Sequence, residues 1–174
     1  MGYTHHDGID AKNFKINGTV VAATADEINR VADVSARIVN VTASTLALTE
    51  ESHDGKIITL NRAAGIATTL PAATGSGVKF TLIIGTTFTS SATIKVTGDD
   101  VMTGVAVIAN DTDASASLFE TAADSDTITF NGSTTGGYKG TLIELIDIAA
   151  DTWYVRITGS ATGTEATPFS ATVS

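Results

Sequence analysis

Three histidines and nineteen acidic side chains are the residues of this chain best equipped for chemistry. His5-His6-Asp7 offers metal-ligand types, but adjacent side chains on an extended chain point apart, and a metal site needs three or four that converge. His53 stands beside Asp54 in a turn. That pairing serves general acid–base chemistry when a nucleophile lies in reach; without one, it is a surface turn. The acidic pairs Asp99-Asp100, Asp111/Asp113 and Asp124/Asp126 could hold Ca²⁺ in loops, yet none follows the EF-hand spacing, and solvated turn carboxylates are the plainer reading. There is no nucleophile elbow, no zinc-protease helix motif and no phosphate-binding glycine loop. The absence of cysteine excludes disulfides and thiolate metal sites. The expectation is a protein that is not an enzyme, with no catalytic residues, no cofactor and no metal.

The net charge is −9, with ten basic residues scattered along the chain. Nucleic-acid binding needs clustered Lys and Arg to neutralise phosphates, so no nucleic-acid partner is expected. An anionic membrane surface is disfavoured for the same reason. The longest apolar stretch, 142–150, is interrupted by Glu144 and Asp147, so no membrane span is expected. Residues 1–7 carry neither a basic nor an apolar leader segment, so no signal peptide is expected. An acidic shell suits solubility and permits a partner with basic patches.

The elements that must carry any site are strands. Thirty threonines alternate with Val, Ile and Leu in short runs, the pattern of half-buried pleated strands. Runs at 43–48, 56–61, 67–70, 79–84, 93–96, 105–109, 127–130, 140–148 and 153–158 are the expected strands. Asp54-Gly55, Gly75-Ser76-Gly77, Gly98-Asp99-Asp100, Asn131-Gly132 and Gly136-Gly137 are turn signals between them. The run at 140–148 and its return at 153–158 form the strongest hairpin, with Trp153, Val155 and Ile157 on its core face. No helix alternates with strand, which argues against a parallel α/β sheet. The expected fold is mainly β: an antiparallel β-sandwich or jelly-roll-like body over 41–160. Residues 1–23 read as an extended arm with Phe14 and Ile16 alternating, and 161–174 as an extended C-terminal tail anchored by Phe169. Between arm and body, 24–40 reads as a short amphipathic helix. Thr24-Ala25-Asp26-Glu27 is a capping box, and Ile28, Val31 and Ile38 share an apolar stripe. That stripe packs either on the body or on copies of itself around a symmetry axis.

His53-Asp54-Gly55-Lys56-Ile57-Ile58-Thr59-Leu60, then Thr69-Leu70-Pro71-Ala72-Ala73-Thr74-Gly75-Ser76-Gly77, then Phe80 to Gly85-Thr86-Thr87 form a series of segments that resembles a module of bacteriophage virion proteins. Asn17-Gly18-Thr19-Val20 and Ala23-Thr24-Ala25-Asp26-Glu27-Ile28-Asn29 resemble an element of phage tail and head appendages. The stretch from Asp124-Ser125-Asp126-Thr127-Ile128-Thr129 through Trp153 to Gly163-Thr164-Glu165-Ala166-Thr167-Pro168-Phe169 is similar to the same group. The resemblance is to capsid decoration (cement) proteins of tailed phages and brings no catalytic residue. It implies a β-rich homotrimer on the outer capsid surface of a virion assembled in the bacterial host cytoplasm. Its partners would be itself and the major capsid protein. On that reading Phe14, Ile16 and Phe169 are arm contacts to the capsid, or else cover the chain's own body, and Ile28, Val31 and Ile38 are oligomer contacts. The alternative is a tail or fibre-associated virion protein binding a host surface glycan through exposed aromatic side chains.

Overall fold

The structure is a computed structural model of the chain that describes residues 15–20, 22, 24 and 37–172. The chain divides into two compact units, Met1–Ser35 and Ala36–Ser174. In the first, strands β1 (Lys15–Ile16) and β2 (Thr19–Val20) make a two-residue hairpin. Its turn is Asn17-Gly18 with φ of 48° and 82°, the left-handed pair that lets a tight hairpin keep the strand twist.

The second unit is mainly β, with two mixed sheets. One has seven strands: β3 (Ile38–Val41), β5 (Ile57–Leu60), β7 (Lys79–Ile84), β9 (Val101–Ala109), β10 (Ala116–Glu120), β12 (Leu142–Ala149) and β13 (Thr152–Ser160), in the order β10-β9-β13-β12-β7-β5-β3. The other has five: β4 (Thr45–Ala47), β6 (Ala67–Thr69), β8 (Ala92–Lys95), β11 (Thr127–Phe130) and β14 (Phe169–Ser170), in the order β14-β11-β8-β6-β4.

From β3 to β8 the chain changes sheet at every step, so β3, β5 and β7 stack in parallel in one sheet and β4, β6 and β8 in the other. This corrects the antiparallel part of the expected fold: both sheets are mixed. A parallel crossover needs only a long connection, usually a helix; here the connection is a strand of the opposite sheet. The one described helical turn, Glu50–His53, is capped by Thr49, whose Oγ1 accepts from the Ser52 amide. The second half, β9 to β14, adds antiparallel neighbours (β9/β10, β7/β12, β12/β13, β8/β11 and β11/β14) and one further parallel pair, β9/β13.

The registers place one inward row across all seven strands of the larger sheet: Val39, Ile58, Leu82, Ile143, Ile157, Ala106 and Phe119. A second row crosses the smaller sheet: Leu46, Thr68, Ile94, Ile128 and Phe169. The apolar members of both rows join one core, which also holds Trp153 stacked on Phe80 at 5.6 Å. Small aliphatic side chains fill most of this core, so it depends on dense packing of many modest contributions.

Gly104 shows how close that packing is. It sits inside β9 at φ 152°, and a Cβ there would overlap the Val155 carbonyl oxygen on β13. No other residue type fits without moving the strands apart.

The expected bound of the helix reading, 24–40, is corrected at its C-terminal end, because residues 38–41 form β3. Residues 25–36 lie outside the described residues. The expected tail over 161–174 is corrected for its described part: Ala161 and Phe169 are buried, and β14 pairs with β11.

Candidate functional site

Two features of the second unit invite a functional reading: a set of buried carboxylates and the outward face of the seven-stranded sheet. Asp100, Asp126 and Asp147 are all buried, which costs free energy unless each charge meets donors. Asp147 is 1% exposed. It accepts from the amides of Thr74 (3.0 Å), Gly75 (2.7 Å) and Ser76 (2.9 Å), and from the Ser76 hydroxyl (2.9 Å). Burial pushes its carboxyl up. The amides of Thr74, Ser76 and Gly75 with the Ser76 hydroxyl overcome that and hold the pKa down at about 2. Asp100 accepts from the Ala73 amide at 2.7 Å. Asp147 thus ties the 73–76 loop to β12 and Asp100 ties it to the start of β9, while Thr74 also bridges Ala150 in the turn between β12 and β13. Asp126 accepts from the Thr172 amide at 2.8 Å and the Thr127 hydroxyl at 2.7 Å.

These contacts separate the members of two acidic pairs. Asp100 and Asp126 bind backbone inside the fold, while Asp99 and Asp124 are exposed. Among the described residues, no group of three or more His, Asp or Glu could hold a metal ion. His53 is half-buried in its helical turn, with Nδ1 at 3.0 Å from the Thr49 amide and 3.2 Å from the Thr49 carbonyl. Burial pulls its pKa down, the Thr49 hydrogen bond opposes that, and Lys56 lowers it further. The ring serves the turn.

The expected contact residues fall in different places. Phe14, Ile28 and Val31 lie outside the described residues. Ile16 is in β1. Ile38 is on β3, 63% exposed, on a strand rather than on a helix stripe. Phe169 is 7% exposed and ends the inward row of the smaller sheet. The Thr129 amide donates to the Pro168 carbonyl at 2.7 Å and the Asp126 amide to the Ser170 carbonyl at 3.0 Å. Phe169 therefore covers its own body and is not an exposed arm contact.

The outward face of the seven-stranded sheet carries two rows. One runs Ile38, Ile57, Thr81, Glu144, Arg156, Val105 and Glu120; the next runs Asn40, Thr59, Ile83, Leu142, Thr158, Val107 and Leu118. Ile38, Ile57, Val105 and Leu118 are exposed, and Ile83, Leu142 and Val107 are half-exposed. In the middle, Glu144 pairs with Lys79 at 2.7 Å and lies 3.9 Å from Arg156. The hydrogen bond from Lys79 holds the Glu144 carboxyl below its ordinary value, against burial. Tyr154 shares this side half-buried, whereas Trp153 is in the core as its strand alternation predicts. Tyr138 donates to or accepts from the Thr162 hydroxyl at 2.9 Å.

Sequence reasoning missed Leu118 and the structural role of Asp147. The signal for Asp147 was available. Along 143, 145 and 147 the period-2 pattern puts an aspartate on the core face, and Glu144 on the other. Among the described residues, no helix is long and apolar enough to cross a membrane. No protein family, curated protein or solved structure matches this chain.

Proposed function

We propose that this chain is a non-catalytic capsid decoration protein that binds the outside of a phage head as a homotrimer and strengthens contacts between capsid subunits. The observation that carries the reading is the outward sheet face, where exposed Ile38, Ile57, Val105 and Leu118 stand on strands fixed from behind by a continuous aliphatic row. A rigid face that exposes apolar side chains beside ion pairs suits binding to a large surface, because little conformational freedom is lost on docking. The buried carboxylates support the same reading. Asp100 and Asp147 bind loop amides, so their charge is committed to holding shape. Trimer valency would multiply a weak affinity per subunit through effective concentration. Phe14 and Ile16 remain proposed arm contacts, and Ile28 and Val31 proposed oligomer contacts.

Sedimentation with undecorated heads and, separately, with isolated tails tests this reading. Saturable binding to heads is the expected result. Binding confined to tails or to host cells would replace it with the tail-appendage alternative.

A further inference from the structure

The seven-stranded sheet ends at β10, and among the described residues no strand pairs with its outer edge. The Asn110 amide donates to the Ser115 carbonyl at 3.1 Å, and the Thr121 amide to the Gly104 carbonyl at 3.1 Å. These two contacts fix the ladder phase along the register Ala116↔Ala109 to Glu120↔Val105. Antiparallel pairs alternate between bonded and non-bonded. Ser115, Ser117, Phe119 and Thr121 therefore spend their backbone groups on β9. Ala116, Leu118 and Glu120 turn their N–H and C=O outward. Natural edges are usually blunted by Lys, Pro, a bulge or extreme shortness. Ala116-Ser117-Leu118-Phe119-Glu120 has none of the first three and is five residues long. The edges of the smaller sheet are only three and two residues. Leu118, 72% exposed, is the most exposed large apolar side chain among the described residues. It sits beside half-exposed Val107 on the outward face.

Charge narrows the choice of occupant. Residues 96–138, which include β9 and β10, contain seven Asp and Glu and no Lys or Arg. Asp111, Asp113, Glu120 and Asp124 are exposed around this edge strand and its flanking loops. A second β10 arriving from another copy would bring the same acids to face them, and like charges across a strand pair repel.

We propose that the β10 edge accepts an extended segment that carries an apolar and a basic residue two positions apart on one face, added as an eighth strand of the sheet. The main-chain groups of Ala116, Leu118 and Glu120 hold the segment; Leu118 receives its apolar side chain, and Glu120, two residues further along the same outward face, pairs with its Lys or Arg. The inference deepens the decoration reading, on which it rests only for the source of the segment, the capsid protein.

The probe is an acetylated, amidated hexapeptide of threonine with one valine and one lysine two positions apart, titrated into the full chain and followed by amide NMR shifts and by fluorescence anisotropy. The expected result is saturable binding with the largest shifts at Ala116, Leu118 and Glu120, and no binding of the counterpart that carries glutamate in place of the lysine. Leu118→Pro removes only an outward N–H, so β9 keeps its ladder. It should weaken binding at least tenfold while leaving the net charge and the circular dichroism spectrum unchanged. Ala116→Pro should do the same and serves if Leu118→Pro fails to fold. Peptide binding unaffected by either proline, absence of peptide binding, or a concentration-dependent doubling of mass that Leu118→Pro abolishes would each overturn the proposal. Binding to heads without any peptide binding sinks the edge site alone; peptide binding without head binding sinks the decoration reading and leaves the edge site standing.

Discussion

The two faces of the seven-stranded sheet are built from the same strands and differ in what they are for. Inward, Val39, Ile58, Leu82, Ile143, Ile157, Ala106 and Phe119 run unbroken from edge to edge. Outward, the neighbouring rows mix Ile, Leu and Val with Thr, Glu and Arg. The inner row needs only apolar volume and close fit. The outer face carries exposed apolar side chains that contribute little to folding. The exposed apolar side chains fall in two groups, Ile38 with Ile57 at the β3 end and Val105 with Leu118 at the β10 end, divided by Glu144 and Arg156; grouped exposure is informative where single exposed leucines are ordinary.

Breaking the inner face should have the largest effect. Gly104→Val drives a side chain into the Val155 carbonyl, and a loss of about 4 kcal/mol or more is expected, read as failure to fold or a collapsed denaturation midpoint. Leu82→Ala, on the inner row, should cost about 2–5 kcal/mol. Ile83→Ala, its outward neighbour, should cost less than about 1.5 kcal/mol because the side chain already meets solvent. Urea denaturation of the pair measures the contrast between faces directly, and equal losses would erase it.

Asp147→Asn should cost about 2–3 kcal/mol, since the amide accepts the loop hydrogen bonds less well than a carboxylate. The sign of the pH effect follows from the depressed pKa. The carboxyl takes up its proton at about pH 2 when folded and near pH 4 when unfolded. Its contribution is therefore complete above about pH 4 and is lost as the pH falls toward 2. Wild type should lose stability across that window more steeply than Asp147→Asn, as followed by thermal melts at stepped pH. Smallest of all, Glu144→Gln removes partly exposed ion pairs with Lys79 and Arg156 and should change stability by less than about 1 kcal/mol, with even that difference shrinking in high salt.

Much of the strand content was legible in the sequence. The runs at 79–84 and 127–130 match β7 and β11 end to end, and the other seven expected runs each meet a strand. Alternation of β-branched residues with Thr is a local signal, and burial on one face enforces it. Three kinds of feature were hidden. β3 was absorbed into the helix reading because Ile38 also fits a helical spacing from Ile28 and Val31. β10 was missed because Ala, Ser and Glu are poor strand formers; its pairing with β9 overrides them. The absence of intervening helices argues against a parallel α/β sheet, yet from β3 to β8 strands of the second sheet make the parallel crossovers. Of the expected contact residues, Ile38 is exposed as a contact must be, whereas Phe169 was placed in a tail because small polar residues surround it. Its partners, Ile128 and the inward row, are distant in sequence, and only the register brings them together.

The most direct test of the decoration reading is quantitative sedimentation of undecorated heads with wild type and with a variant carrying Ile38→Lys, Val105→Lys and Leu118→Lys. These three outward positions can change without disturbing the inner row. Wild type should bind heads to a fixed saturating stoichiometry while the variant, folded by circular dichroism, loses at least tenfold in affinity. Binding of both proteins with the same affinity, or of neither, would contradict the outward sheet face as the surface that meets the shell.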